Sequence, residues 1–202
     1  MKRMLILAGL IGATLFLIGI FVVGAMAENY DPLSQFVSEL GAVGAPNAWL
    51  LNGLVLAPAG SLIALGGLGR LGQGEWLSGP LVSLSGTGFL IAGIYRCDAG
   101  CGFVDMSPAA MIHNQAAFGA FLLAILAALI LTVVSLARRN GSRAAINAIA
   151  VTGMVAGLGA MMTIGLDHPL IGLSQRVFLV SFCLWLMVDS AVLLRTPRKA
   201  RA

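Results

Sequence analysis

Six apolar runs divide this chain, at about 4–27, 48–69, 76–95, 109–137, 144–166 and 172–194. Each is close to the roughly 20 apolar residues that a helix needs to cross a hydrocarbon core about 30 Å thick. Inside hydrocarbon the backbone must satisfy its own hydrogen bonds, so uninterrupted runs of this length read as helices packed on one another. Composition agrees: 10% of the 202 residues are charged and 59% are hydrophobic, against roughly 25% charged in a soluble domain. The expected fold is all-α, one polytopic bundle of six transmembrane helices over residues 1–202. Pro58 and Pro80 fall in the second and third runs, where neighbouring helices can satisfy the carbonyls that a proline frees.

The first run has a rival reading. Lys2 and Arg3 precede it and "AMAE" ends it, as in a secretory signal with a small-residue cleavage site. Its apolar stretch is longer than the roughly 7–15 residues of a signal core, so a retained span is expected.

The charges alternate along the chain. Lys2 and Arg3, Arg70, then Arg138, Arg139 and Arg143, then Arg195, Arg198, Lys199 and Arg201 mark the amino terminus, loops two and four, and the carboxyl terminus. Loops one, three and five, near 28–47, 96–108 and 167–175, hold most of the acids and almost no base. With ten of the twelve basic residues on one side, the positive-inside rule puts both termini in the cytoplasm and loops one, three and five outside a cytoplasmic membrane. Bases in short clusters beside apolar runs are an orientation signal and argue against nucleic acid as a partner.

Small residues at packing intervals predict close helix contacts. Gly153 and Gly157 are four apart in "GMVAG", and Ala116, Gly119, Ala120 and Ala124 give the fourth run a small face.

Loop one reads "ENYDPLSQFVSELGAVGAPN". Asp31 before Pro32 is a helix start, a capping oxygen followed by a residue whose missing N–H costs nothing there. Leu33, Phe36, Val37 and Leu40 follow helical spacing with Ser34, Gln35 and Ser38 opposite, and Gly41 ends the pattern. The spacing predicts a short amphipathic helix, lying at the membrane surface or folded back over the bundle. Its serines are either simply solvated or, with Glu39, line a pocket.

Loop three carries "RCDAGC", and Ser107-Pro108 starts the fourth helix. At 1.5 Å rise per residue His113 then lies roughly 8 Å along it, a depth where an ionisable group needs the protein interior or a wet cavity around it. Loop five adds Asp167 and His168, with Arg176 entering the sixth run. Both histidines of the chain thus fall at one end, with Asp31, Glu39, Asp98, Asp105 and Asp167. The other half holds little comparable except Asp189, which reads as a partner for a basic neighbour. A polar cluster at one membrane depth is a functional-site hypothesis.

Several chemistries fit those residues. Ser38 as nucleophile with His113 or His168 as base, oriented by Asp98 or Asp167, would follow the nucleophile–base–orienter logic of a hydrolase or acyl transferase. Zinc takes histidine and carboxylate ligands, so His113, His168 and Asp98 form a possible zinc set, though no spacing fixes two of them on one helix. Arg176 and the histidines could instead bind an anionic headgroup. Cys97 and Cys101, on an oxidising side, could close loop three as a structural disulfide. Their spacing differs from the Cys-x-x-Cys of thiol oxidoreductases, which leaves thiol-redox chemistry last. Cys183, mid-run, reads as a small packing residue.

"SELGAVGAPNAWLLNG", "AGIYRCDAGCG…IHN" and "GLSQRVF…LW" resemble, in order, the motifs of a prokaryotic six-span family catalogued as domain of unknown function 998. The matching positions are Ser38, Glu39, Leu40, Gly41, Pro46 and Asn52, then Cys97, Asp98, Gly100, Cys101 and His113, then Gly172, Gln175 and Arg176. Tyr95-Arg96 stands where the family pattern has phenylalanine-proline. The resemblance implies a six-helix membrane fold and brings no activity with it. The outer loop "SELG…P" is also similar to one in eukaryotic membrane proteins linked to lipid remodelling. The expectation is an outward-facing polar site for a membrane lipid or amphiphilic small molecule, with Ser34, Glu39, Asp167 and Arg176 as binding residues. Its alternative is a non-catalytic lipid-binding or transport protein.

Overall fold

A computed structural model describes residues 1–195. Arg198, Lys199 and Arg201, counted above among the inward charges, lie outside the described residues. The helices are α1 (Lys2–Met26), α2 (Ala57–Leu71), α3 (Ser78–Ile94), α4 (Pro108–Ala137), α5 (Gly141–Thr163) and α6 (Ile171–Arg195). A π-helical segment, Leu50–Leu56, runs directly into α2. With it, five helices are long and apolar enough to cross a membrane; α3, at 17 residues, is a shorter apolar helix.

Each helix packs on the next, and α6 closes the ring against α1. Large apolar side chains cover the outside as well as the core: Ile18, Phe21, Leu129 and Val133 are exposed. Such a surface suits hydrocarbon and would aggregate in water. The middle of the bundle is filled by rings from four helices. Phe16 meets Phe89 edge-on at 5.0 Å, Phe121 lies 4.2 Å from Phe178, and Phe89 lies 5.4 Å from Phe182.

The tightest seam joins α2 and α3, antiparallel along their whole length. A Cβ added at Gly60, Gly67, Gly86 or Gly93 would run into the backbone of the facing helix. Gly79, Gly86 and Gly93 recur every seven residues, opposite Gly60 and Gly67 seven apart, so one bare stripe faces another. Without a water-driven hydrophobic effect, close backbone approach of this kind supplies the dispersion that holds helices together. Gly157 likewise abuts the α6 backbone at Ser174 and Phe178. On α4, Ala116 and Ala120 receive Gly88, whereas Gly119 faces open space and drops out of the predicted small face.

The predicted helix in loop one forms only over its second half, as a 3-10 turn ending at Gly41. Asp31 closes a turn, accepting from the Leu33 N–H at 2.9 Å and the Ser34 hydroxyl at 2.6 Å. The chain then extends at Phe36, and a short 3-10 helix covers Val37–Gly41. The cause lies in α6, which takes the backbone groups a helix would have used. Leu173 N–H donates to the Leu33 carbonyl at 2.9 Å, Arg176 to the Gln35 carbonyl at 2.9 Å, and Gln175 Oε1 accepts from Val37 N–H at 2.6 Å. Of the two placements the sequence allowed, the segment folds back over the bundle, burying Phe36, Val37 and Leu40.

Candidate functional site

Loop one is held from several directions at once. Glu39 reaches back to accept from the Phe36 N–H at 2.7 Å and from the Gln35 side chain at 3.0 Å. Asn52, in the π-helical segment, donates to the Gly41 carbonyl at 2.7 Å. A side chain at Gly41 would collide with that amide, which gives the Gly41 and Asn52 of the first motif a shared physical reason. Buried Arg176 also donates to the Gly172 carbonyl at 3.0 Å and to the Tyr30 hydroxyl, and stacks over the Tyr30 ring at 5.3 Å. Burial pushes the Tyr30 phenol up, against the pull of Arg176.

Loop three is pinned as firmly. Cys97 and Cys101 form a disulfide, and both are buried. Gly100 takes the left-handed backbone that this short closure needs, with φ +76°. Val43 N–H donates to the Cys97 carbonyl at 2.9 Å, joining loops one and three. Asp98 accepts from both the N–H and the hydroxyl of Ser107 at 2.8 Å, while Ser107 caps α4 by accepting from Ala110 N–H. The Ser107 N–H and hydroxyl hold the Asp98 carboxyl below the usual carboxylate range.

His113 is buried where α4 passes the end of α3. Its Nδ1 lies 2.8 Å from the Ala92 carbonyl and 2.9 Å from the Tyr95 carbonyl. Two carbonyl oxygens can only accept, so Nδ1 carries the proton, and in the neutral ring Nε2 is the acceptor. His113 lines a cavity of about 200 Å³ together with Ser38, Asn114 and Gln175. Phe118, Phe121, Leu158, Met161 and Met162 form its apolar wall between α4 and α5. A small space of about 30 Å³ on the core side shares Ser38, His113 and Gln175 with it and is bounded by Phe16 and Phe89 of the aromatic core. Phe118 is 41% and Met162 57% exposed, so the wall reaches the bundle's outer, apolar surface.

The other expected site residues lie elsewhere. A separate hollow of about 660 Å³, lined by Glu28, Tyr30, Gln35 and Glu39, sits under loop one. A second hollow of about 420 Å³ gathers Ser34, Glu39 and Asp167. Glu39 borders both; Ser34 spends its proton on Asp31. His168 accepts the Leu170 N–H at 3.1 Å within its own turn and lines none of these cavities. Arg176 is committed to loop one. Asp98, His113 and His168 do not gather: among the described residues no three His, Cys, Asp or Glu side chains are placed to hold a metal. Ser38 and His113 are therefore the pair that the fold brings together, with Gln175 and Asn114 as neighbours. Gln175 stood in a quoted motif and Asn114 followed His113 in another. Neither carries charge, which is why electrostatic reasoning passed over them.

The opposite end holds a cluster that the sequence reading underrated. Asp189 accepts from Arg143 Nε at 2.8 Å and from Arg70. Glu75 accepts from Arg70 at 3.1 Å, from Arg143, and from Ser78. Arg70 also reaches Ser190 at 3.3 Å and lies 5.8 Å over the Trp185 ring. The Trp185 N–H donates to Asn147 at 2.9 Å. Arg70 and Asp189 are each 1% exposed, so the expected pairing of Asp189 is met twice over. The signal was an acid inside an apolar run, which must have a partner.

A family profile described as "Protein of unknown function (DUF998)" matches residues 10–192. The chain belongs to that family. Neither the curated proteins nor the solved structures searched yield a match. Family membership fits the three motifs and the membrane-type helical fold, and leaves the activity to be argued from the cavity.

Proposed function

We propose that this protein binds a membrane lipid or similar amphiphile at the outer leaflet, in the Ser38–His113 cavity. The observation that carries the reading is the combination in one cavity of an apolar wall that reaches the lipid-facing surface and a polar end made of Ser38, His113, Asn114 and Gln175. Pockets that enclose a drug-sized ligand are roughly 300–1,000 Å³, so about 200 Å³ suits the head-proximal part of a chain whose remainder stays in the bilayer. Outward placement follows from the basic clusters at the other end. Solute transport is less well supported, because the Phe16, Phe89, Phe121, Phe178 and Phe182 rings fill the middle of the bundle where a transporter would place its site.

Native mass spectrometry of the full chain, extracted from membranes in a mild detergent, tests this. Wild type should carry an amphiphile adduct. Ala117→Trp, which fills the cavity, should lack it while unfolding at a similar temperature. A lipid-free wild type after gentle extraction would refute the reading.

Hydrolysis or acyl transfer is the second reading, favoured by one observation. His113 is oriented through Nδ1 by carbonyls, leaving Nε2 as the base in a cavity that Ser38 shares. The carbonyls of Ala92 and Tyr95 take the orienting part first considered for Asp98. Ser38 and His113 share no hydrogen bond among the described residues, so substrate would have to draw them together, as catalytic contacts often tighten only in the complex. A fluorophosphonate probe should then modify Ser38 in wild type and not in His113→Ala. Unmodified Ser38 in wild type would count against catalysis.

A further inference from the structure

The charges around the cavity restrict what its occupant can be. Anionic headgroups are recognised by guanidinium forks or clusters of bases. Arg176 follows Gln175, which lines the cavity, but it is itself buried and bonded elsewhere. It donates to the carbonyls of Gln35 and Gly172 and to the Tyr30 hydroxyl, and it lines none of the cavities at this end. Arg96 is exposed on loop three and also lines none of them. His168 is turned into its own loop.

The neighbouring hollows carry the other sign: Glu28 and Glu39 line the larger one under loop one, and Glu39 and Asp167 the second. Within the cavity itself, Ser38, His113, Asn114 and Gln175 offer hydroxyl, imidazole and amide groups. These can give and accept hydrogen bonds, and none is a fixed cation. A phosphate in this cavity would find no guanidinium or ammonium to pair with and would have carboxylates in the neighbouring hollows. An alcohol or ester would find partners throughout.

The geometry points to an uncharged amphiphile, of the acylglycerol or long-chain alcohol class, and away from an anionic phospholipid. This rests on the lipid-binding reading above and names the chemistry of the head. It also replaces the anion-binding part that the sequence suggested for Arg176 with a positioning one. Arg176 holds the loop-one segment that presents Ser38.

The test uses the full chain reconstituted in phosphatidylcholine vesicles with trace amounts of two photoactivatable probes. One is a diacylglycerol and the other a phosphatidylglycerol, both with the same diazirine-bearing acyl chain. Cross-linking to peptides spanning 113–121 and 158–162 is quantified at subsaturating dose. The diacylglycerol should cross-link about tenfold more strongly, the ratio that corresponds to about 1.4 kcal/mol of differential binding. Equal labelling, or preference for phosphatidylglycerol, would overturn the charge inference and leave lipid binding standing. Labelling of neither segment by either probe would overturn lipid binding itself.

Discussion

The two polar ends of this bundle use opposite strategies. At one end Arg70, Glu75, Arg143 and Asp189 form a closed set of ion pairs, two positive and two negative, with Ser78 and Ser190 bonded to its edge. At the other, Arg176, Glu39 and Asp98 spend most of their hydrogen bonds on backbone groups of loops one and three and of α6. Ion pairs that satisfy one another leave nothing for a ligand. Ionised groups that hold loops in place leave the cavity lined by hydroxyl, imidazole and amide side chains, each with capacity beyond the bonds that His113, Asn114 and Gln175 already make to the protein. The molecule therefore pairs its strongest charges with one another at one end, and lines the cavity at the other with neutral hydrogen-bonding groups.

That contrast can be broken most directly at Asp189. Asp189→Ala leaves two guanidiniums facing no carboxylate at that position and should cost about 3–5 kcal/mol, the usual penalty for orphaning one member of a buried pair. Replacing Arg70 with Met and Asp189 with Leu together should cost far less. Chemical unfolding in detergent measures both, and an unchanged midpoint for Asp189→Ala would remove the distinction between the ends. Arg176→Met comes next, at about 1.5–3 kcal/mol for the loss of charged hydrogen bonds. Its signature should be local: faster amide exchange over 33–41 with α5 unaffected. Global loosening would mean that the strap supports the whole bundle.

His113→Ala should cost about 0.5–1.5 kcal/mol, one net hydrogen bond, yet abolish the amphiphile adduct. A stable variant that retains the adduct would remove His113 from the site. Ser38→Ala should stay within about 0.5 kcal/mol of wild type while weakening that adduct. The smallest effect is pH-dependent. Because its folded pKa is depressed, Asp98 contributes stability above the ordinary carboxylate pKa of about 3.9, and that contribution is lost as pH falls through the folded value. Exchange protection over 98–107 should drop in acid, and Asp98→Asn should abolish the pH dependence. A wild-type profile flat to low pH would show that the disulfide alone fixes the loop.

Periodic and one-dimensional signals were the legible ones. The apolar runs anticipate the six helices to within a few residues, and Ser107-Pro108 marks the start of α4. Loop one misled because Asp31-Pro32 and the Leu33–Leu40 spacing are local helix signals that take no account of distant partners. The competing hydrogen bonds come from α6, some 140 residues on. Arg70 and Arg143 were counted as loop charges bearing on orientation. A sequence cannot distinguish a base beyond a span from one turned inward, and discounting these two leaves eight of the remaining ten on the same side. The α2–α3 glycine stripes were overlooked for a similar reason. A seven-residue interval falls outside the four-residue search, although both place small residues on one helix face.

The ion-pair set also imposes an order on assembly. Arg70 and Asp189 are 119 residues apart, so a chain made from its amino end carries Arg70 into the membrane long before its aspartate exists. Glu75, five residues further on, is the acidic partner from this set available to it meanwhile. Ser78 steadies Glu75 from the start of α3, within the hairpin that the glycine stripes close. Arg143 then arrives with α5, and Asp189 with the last helix. The final span is thus also the missing counter-charge, and a polypeptide truncated before it keeps two arginines and one acid looking for a fourth member.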